Sequence, residues 1–372
     1  MLNYMTCGES HGKYLLAILE GVPSELELDL ASINHELWRR QQGYGRGGRM
    51  KIETDQAELT SGVYKGVTTG APIGILSINK DFKIDSMPEL ERPRPGHADL
   101  VGSLKYNDGI RTILERASAR ETLLRVAIGG ITRQLLKKFD IQITSHVFEI
   151  GGVQIEDSHL SFEEIEKQKK DSQLNCTSPG AEKKMIQLID QAQKDGDTLG
   201  GRFEIRVKGV PIGLGSHVAY HQKLDARIAR AVISVQAVKE VGFGLSEELG
   251  STPGSKAHDE IFYEKGRGYF RKTNRSGGFE GGMTTGEEIV VRATMKPIST
   301  LRKALQSVNV KTKEPEKASF ERSDTCAVPA CSVICEAVVA YEVTNAFLEK
   351  FGGDSLTELR RNVDGYLKQI KQ

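Results

Sequence analysis

Two glycine-flanked histidines, one aspartate and several arginines in glycine-rich loops are the residues of this chain best suited to chemistry. The first histidine lies in Gly8-Glu9-Ser10-His11-Gly12, a match to the G-x-S-x-G turn that exposes a nucleophilic serine in α/β-hydrolases. That turn follows several strands and borrows half of its oxyanion hole from an upstream loop. Only the short run "MLNYMTC" precedes this one, so the letters are expected to serve other chemistry. Imidazole as a side chain gives or takes a proton near neutral pH, and Gly12 lets the backbone approach a ligand closely. A structural histidine is the alternative reading.

Next comes "RRQQGYGRGGRMK" (39–51), with five basic residues, four glycines and one tyrosine. Three readings stay open. It is an RGG-like segment for nucleic acid, an ordered loop that clamps a phosphate or carboxylate with guanidinium forks, or a solvated basic loop. In "ERPRPGHADLVGSLKY" (91–106), Pro93 and Pro95 impose an extended path and Gly96 frees a turn before His97 and Asp99. His97 is expected to act in proton transfer or in structure, since no further ligands accompany it as a metal pair. "ILERASARETLLRVAIGG" (113–130) puts Arg116, Ser118 and Arg120 at a loop-to-helix junction, where free N–H groups favour anions. "MKPIST" (295–300) adds Lys296 and two hydroxyls, and "ERSDTC" (321–326) adds Arg322 and Asp324.

The elements that position these residues mix two periods. Strand-like runs cover 49–59, 72–78, 141–153, 201–210 and 288–295; helix-like runs cover 30–42, 119–139, 222–241 and 331–351. Residues 156–198 read as a polar, solvated helical excursion. Strands and helices in separate blocks point to an α+β class. "SGVYKGVTTGAPI" (61–73) is echoed by "SGGFEGGMTTGEEI" (276–289), and "ERASAR" (115–120) by "ERSDTC" (321–326), in the same order. Such paired echoes suggest a duplication, with both halves sending loops to one cleft.

Lys and Arg number 51 against 50 Asp and Glu, a net charge of +1. No global field draws the chain to nucleic acid or an anionic membrane, so anion sites must be local. The five cysteines have no zinc spacing, and Cys331 and Cys335 fall at i and i+4 as small core residues. No signal pattern or spanning apolar run is read, so a cytoplasmic location is expected. The residues alone describe an enzyme for polyanionic small molecules, with proton transfer at a carbon or at a leaving phosphate and no metal.

At these residues the chain resembles the chorismate synthase family. "GESHGKYLLAILEGVP", "ERASARETLLRVAIGG" and "RSDTCAVPACSVICEAV" are similar to its three signature segments, and the intervening motifs follow in order. The resemblance implies a lyase that converts 5-enolpyruvylshikimate 3-phosphate to chorismate by anti-1,4-elimination, requiring reduced FMN without net redox change. It implies catalytic roles for His11 (protonating the leaving phosphate), His97 (beside the flavin) and Asp324 (assisting proton removal). Flavin contacts carry over to Arg116, Ala117, Ser118, Gln236, Ala237, Gly281, Lys296, Pro297, Ile298, Ser299, Thr300 and Arg322. Substrate or NADP phosphate contacts carry over to Arg40, Arg46, Arg49 and Arg120, with Ser10 as a supporting hydroxyl. NADPH enters only indirectly, for flavin reduction by another source. Departures from the family pattern, such as Cys7 and Thr285, remove none of these side chains. The implied fold is a β-α-β sandwich, with helices between two antiparallel sheets and a pseudo-twofold internal duplication. It makes residues 1–372 one domain of two related halves, roughly 1–140 and 200–372. A homotetramer is implied too, with no nucleic-acid or membrane partner.

Overall fold

The computed structural model describes residues 1–48, 52–156 and 160–370. It is a mixed α/β fold with two larger sheets, in which every strand pairing is antiparallel. In the first sheet the order is Asn3–Cys7, Tyr14–Glu20, Ile73–Ile78, Glu58–Leu59. "YLLAILE" alternates strictly, so Leu15, Ala17 and Leu19 are buried while Tyr14, Leu16 and Ile18 are exposed. The second sheet runs Val238–Phe243, Ile289–Met295, Gly201–Lys208, Gln142–Ile150, Val153–Gln154. Phe203, Ile205, Val207, Val291 and Ala293 fill its buried face.

Four helices supply most of the remaining core. Val328–Phe351 packs on Thr122–Lys137, Leu30–Gln41 and Leu224–Ile233, and lies against the second sheet. Thr122–Lys137 touches strands of both sheets. The approach of Thr122–Lys137 to Val328–Phe351 depends on Gly129, where an added Cβ would fall 2.3 Å from Cβ of Ala337. Val328–Phe351 is long and apolar enough to cross a bilayer, but most of its residues are buried among the other elements and it reads as a core helix. Cys331 and Cys335 lie in it, both buried.

Several sequence expectations need adjusting. Of the strand expected at 49–59, only Glu58–Leu59 pairs, and 49–51 lie outside the described residues. The helix expected over 222–241 stops at Ile233, and Val238–Phe243 is an edge strand paired with Ile289–Met295. Ala237 turns the chain between them with φ 69°. "VQAVKEVGF" offers apolar residues at either period, and the open sheet edge selects the strand. The 156–198 segment does carry helices, Phe162–Gln168 and Pro179–Asp195, the second capped by Ser178 and ended by Gly196 with φ 72°. These helices are amphipathic rather than fully solvated: Ile165, Met185 and Ile189 are buried.

The echoed segments form matching hairpins, Val63–Tyr64 with Val67–Thr68 and Phe279–Glu280 with Met283–Thr284. Thr68 Oγ1 donates to Pro23 O (2.6 Å) and accepts from Leu26 N (3.0 Å). Thr284 Oγ1 donates to Pro211 O (2.7 Å) and accepts from Leu214 N (2.8 Å). Both threonines thus close a Gly-Val-Pro turn that leaves a sheet strand, and both hairpins lead into the strand paired with it.

Candidate active site

The loop between the first two strands carries His11. Gly8 opens it with φ 110°, and a Cβ there would meet Tyr14 O at 2.5 Å, so glycine is required. Three groups hold the loop. Ser10 N donates to Glu115 O (2.9 Å), Asn79 Nδ2 donates to Gly12 O (2.6 Å), and Lys83 N donates to His11 O (3.0 Å). The Glu115 carboxylate reaches His11 three times. Both oxygens lie 3.0 Å from Nδ1, and Oε2 accepts from the His11 backbone N at 2.8 Å. Burial pushes the Glu115 carboxyl up, but its bonds to His11 and the Arg111 guanidinium outweigh that and hold it below its ordinary value.

Asn79 joins this loop to the arginines. Its Oδ1 accepts from Arg120 Nε (2.8 Å), and Arg120 Nη1 donates to Asp55 Oδ1 (2.6 Å). The other Asp55 oxygen accepts from Arg40 Nη1 (3.1 Å), while Arg40 also donates to Thr122 Oγ1 and Ala119 O. Arg40, Arg120 and Asp55 are all buried. Burial lowers the Arg40 pKa to about 10; Asp55 opposes the shift and Arg120 and Arg46 add to it. Arg46 donates to Arg40 O (3.3 Å), and its Nε lies 3.0 Å from Asp324 Oδ2. Asp324 Oδ1 accepts from Gly47 N at 2.6 Å. Arg49 lies outside the described residues. The glycine-rich segment is therefore folded onto its own chain: Tyr44 donates its hydroxyl to Asp190 (2.7 Å) and Thr325 N donates to Gly45 O.

A second cluster surrounds His97. Its Nδ1 lies 2.5 Å from Asp99 Oδ1, and Arg94 grips the same carboxylate through Nε (2.8 Å) and Nη2 (3.0 Å). Burial works against an ionised Asp99, yet the bonds from His97 and Arg94 hold it well below the usual carboxylate range. Arg94 Nη1 donates to Thr300 Oγ1 (2.8 Å), and Lys296 Nζ donates to Gly96 O. The 296–300 loop is thereby fixed beside His97. Pro297 packs where a side chain on Gly200 would go, Ile298 O accepts from Thr198 Oγ1, and Ser299 lies beside Gly96. Ser323 Oγ donates to Thr300 O (3.1 Å), which ties this cluster to Asp324 and the first one. Ala237 O accepts from Lys296 N (2.9 Å), which joins it to the loop, while the neighbouring Gln236 Nε2 donates to Glu121 Oε1 (3.1 Å).

Other expected residues are placed differently. Arg116 is committed to the carbonyls of Gly8 and Thr6 (3.0 Å each). Ala117 ends the helix Ile110–Ala117, and Ser118 caps the 3-10 turn Ala119–Glu121 through Arg120 N (3.3 Å). Arg322 is exposed, 3.7 Å from Asp81. Gly281 sits at a hairpin tip near the start of Leu224–Ile233, whereas Gln236 lies beyond its end. Among the described residues, no contact joins Gly281 to either cluster.

Sequence reading passed over Glu115, Asp55, Asn79 and Arg94. Glu115 adjoins Arg116 in a quoted motif, and Arg94 stands between the two prolines before His97. Asp55 lay in a strand-like run and Asn79 just past the end of another, neither with any local signal.

Residues 2–348 match the family model for chorismate synthase. A chorismate synthase of Geobacter metallireducens is 50% identical, with 100% of both chains covered. One of Enterococcus faecalis is 51% identical over 98% of each. Among solved structures, a crystal structure of chorismate synthase aligns with TM-score 0.84 at 40% identity, covering 100% of this chain and 98% of that one. Both clusters fall inside the matched span, and on matches of this extent the chain belongs to the chorismate synthase family.

Proposed function

We propose that the His11–arginine cluster binds and protonates the substrate phosphate, while the His97 cluster and the 296–300 loop hold the flavin. The reaction itself comes with the family. The protein is a carbon–oxygen lyase that converts 5-enolpyruvylshikimate 3-phosphate to chorismate and phosphate with reduced FMN, in aromatic amino-acid biosynthesis. The observation that carries the assignment of roles is the continuous chain of contacts from His11 through Asn79 to Arg120, Asp55 and Arg40. It links His11 to buried cations within one connected unit, which supports reading His11 as the proton donor.

In this reading Arg40, Arg46, Arg49 and Arg120 neutralise the phosphate and carboxylates, each charge-assisted contact contributing about 1.5–3 kcal/mol. Ser10, buried beside His11, supports the phosphate. His11 gives its Nε2 proton to the phosphate oxygen as the C3–O bond breaks. Asp324, at the junction of the clusters, assists removal of the C6 proton.

The residues fit a flavin. Gln236 Oε1 is buried without a hydrogen-bond partner among the described residues, so an acceptor awaits an N–H or O–H donor there. His97, Lys296, Pro297, Ile298, Ser299 and Thr300 would line the ring, with Ala237, Arg116, Ala117, Ser118, Gly281 and Arg322 as further contacts. Reduced FMN supplies electron density to the substrate without net redox change. His97, held by Asp99, would orient its ring edge, and the arginines would exclude water from the phosphate.

The same reading takes the two sheets and the helices between them as a β-α-β sandwich of two duplicated halves in one domain, supported by the paired Thr68 and Thr284 hydrogen bonds. A cytoplasmic homotetramer fits the exposed outer face of the first sheet, where Met5, Tyr14, Leu16, Ile18 and Ile78 cluster. Flavin is reduced by another protein.

The test is anaerobic turnover of 5-enolpyruvylshikimate 3-phosphate with reduced FMN. His11→Ala and Asp324→Ala should each lower phosphate release about 10²–10⁴-fold while FMN binding persists. Near-native turnover in either variant overturns that residue's role.

A further inference from the structure

We propose that Glu115 is the positioning residue for His11, fixing the imidazole with Nδ1–H toward its own carboxylate so that Nε2 carries the transferable proton. The inference rests on the reading that His11 protonates the leaving phosphate. It begins from geometry: both Glu115 oxygens lie 3.0 Å from Nδ1 and one also accepts from the His11 backbone N. The carboxylate comes from the last turn of the helix Ile110–Ala117, and its side chain is 1% exposed.

Loop anchoring alone does not account for a carboxylate here. The path of residues 9–12 is already fixed by backbone and amide bonds, from Ser10 N to Glu115 O, from Asn79 to Gly12 O, and from Lys83 N to His11 O. A buried carboxylate is unfavourable without compensating charge. Besides His11, Glu115 faces Arg111, whose Nη1 stands back at 3.6 Å and whose Nη2 is engaged by Glu321 at 3.0 Å. The contacts that Glu115 makes closely are both to His11, at its imidazole Nδ1 and its backbone N–H. An ionised acceptor on Nδ1 sets the tautomer and stabilises the imidazolium, the division of labour seen in a buried acid–histidine pair. Other charges around His11 are Glu9 in its own loop, Lys83 on the following segment, and Arg120 behind Asn79.

In the step itself the Nε2–H bond breaks and the proton goes to the phosphate oxygen leaving C3. The C3–O electron pair departs with phosphate, and the imidazole is left neutral with its hydrogen on Nδ1. Glu115 remains ionised throughout. The C6–H electron pair forms a new ring double bond, the existing ring double bond shifts to C3, and the C6 proton passes to the carboxylate of Asp324, the residue assigned to its removal.

The test is Glu115→Gln, alone and combined with His11→Ala, assayed anaerobically with reduced FMN. An amide can keep the loop bonds but no longer enforces one tautomer. Turnover should fall about 10²–10⁴-fold, by analogy with general-acid losses, while KM, FMN affinity and Tm stay near wild type. In the His11→Ala background the same change should cost less than about threefold, as expected of residues acting as one unit. Turnover within threefold of wild type for Glu115→Gln overturns the inference, as does an equal loss in both backgrounds, which would mark a merely structural role. If His11→Ala itself keeps turnover, the underlying reading of His11 fails instead. Collapse of His11→Ala with a silent Glu115→Gln refutes only the positioning role.

Discussion

Replacing Asp55 by asparagine removes a carboxylate that bridges Arg40 and Arg120 directly. Its oxygens lie 2.6 Å from Arg120 Nη1 and 3.1 Å from Arg40 Nη1, and its side chain is 0% exposed. Neutral partners remain for both guanidiniums, in Thr122, Ala119 O and Asn79, while Glu53 stands 3.6 Å from Arg120. Breaking a buried ion pair from one side costs roughly 3–5 kcal/mol. Unfolding entropy of about 2.1 cal/mol/K per residue, over 372 residues, comes to roughly 0.8 kcal/mol/K. The expected drop in Tm is therefore about 4–6 °C, read by differential scanning calorimetry without ligand. If these arginines receive substrate anions, inorganic phosphate should restore part of the loss, and it should raise the Tm of Asp55→Asn more than that of wild type. A drop below about 1 °C would refute the energetic argument. Equal protection of both proteins by phosphate would refute the placement of the anion site.

Other perturbations test the frame around the site. Thr68→Val and Thr284→Val each strip the acceptor from a buried backbone N–H, of Leu26 and Leu214 respectively, and each should destabilise by about 1–3 kcal/mol in urea titrations. Gly129→Ala forces a methyl 2.3 Å from Ala337 Cβ, so a loss of about 1–3 kcal/mol is expected; an unchanged midpoint would mean the two helices separate freely. Burial raises the Glu204 carboxyl, but His146, Arg206 and Arg292 outweigh it and bring it down to about 2. Its unfolded value is near ~4.3. Because the folded value is the lower one, Glu204 contributes stability that is present above ~4.3 and lost as pH falls toward 2. Glu204→Gln should flatten that acid limb in pH-dependent melts.

Much of the fold was legible because local patterns and tertiary demands agree. "PIGILSI", "GRFEIRVKGV" and "EIVVRATM" became sheet strands close to their expected limits, and the apolar run from Cys331 became the central helix. Where one run satisfied two periods, as at 234–243, only the sheet edge offered by Ile289–Met295 decided between them. The extent of the strand expected at 49–59 was likewise decided by which residues found a partner.

The site divides in the same way. His11, His97, Asp324 and the arginines stood out in the sequence because glycines, prolines and like charges crowd around them locally. Their partners did not, since Coulomb and hydrogen-bond energies depend on distance in space. Glu115 pairs with His11 across 104 residues, and Asp55 meets Arg120 across 65. The sequence by itself determined the element types wherever a run held a single period, the family resemblance and the chemical groups on offer. The tertiary structure alone decided which carboxylate faces which cation, since those pairings exist only once both sheets and the helices against them are packed.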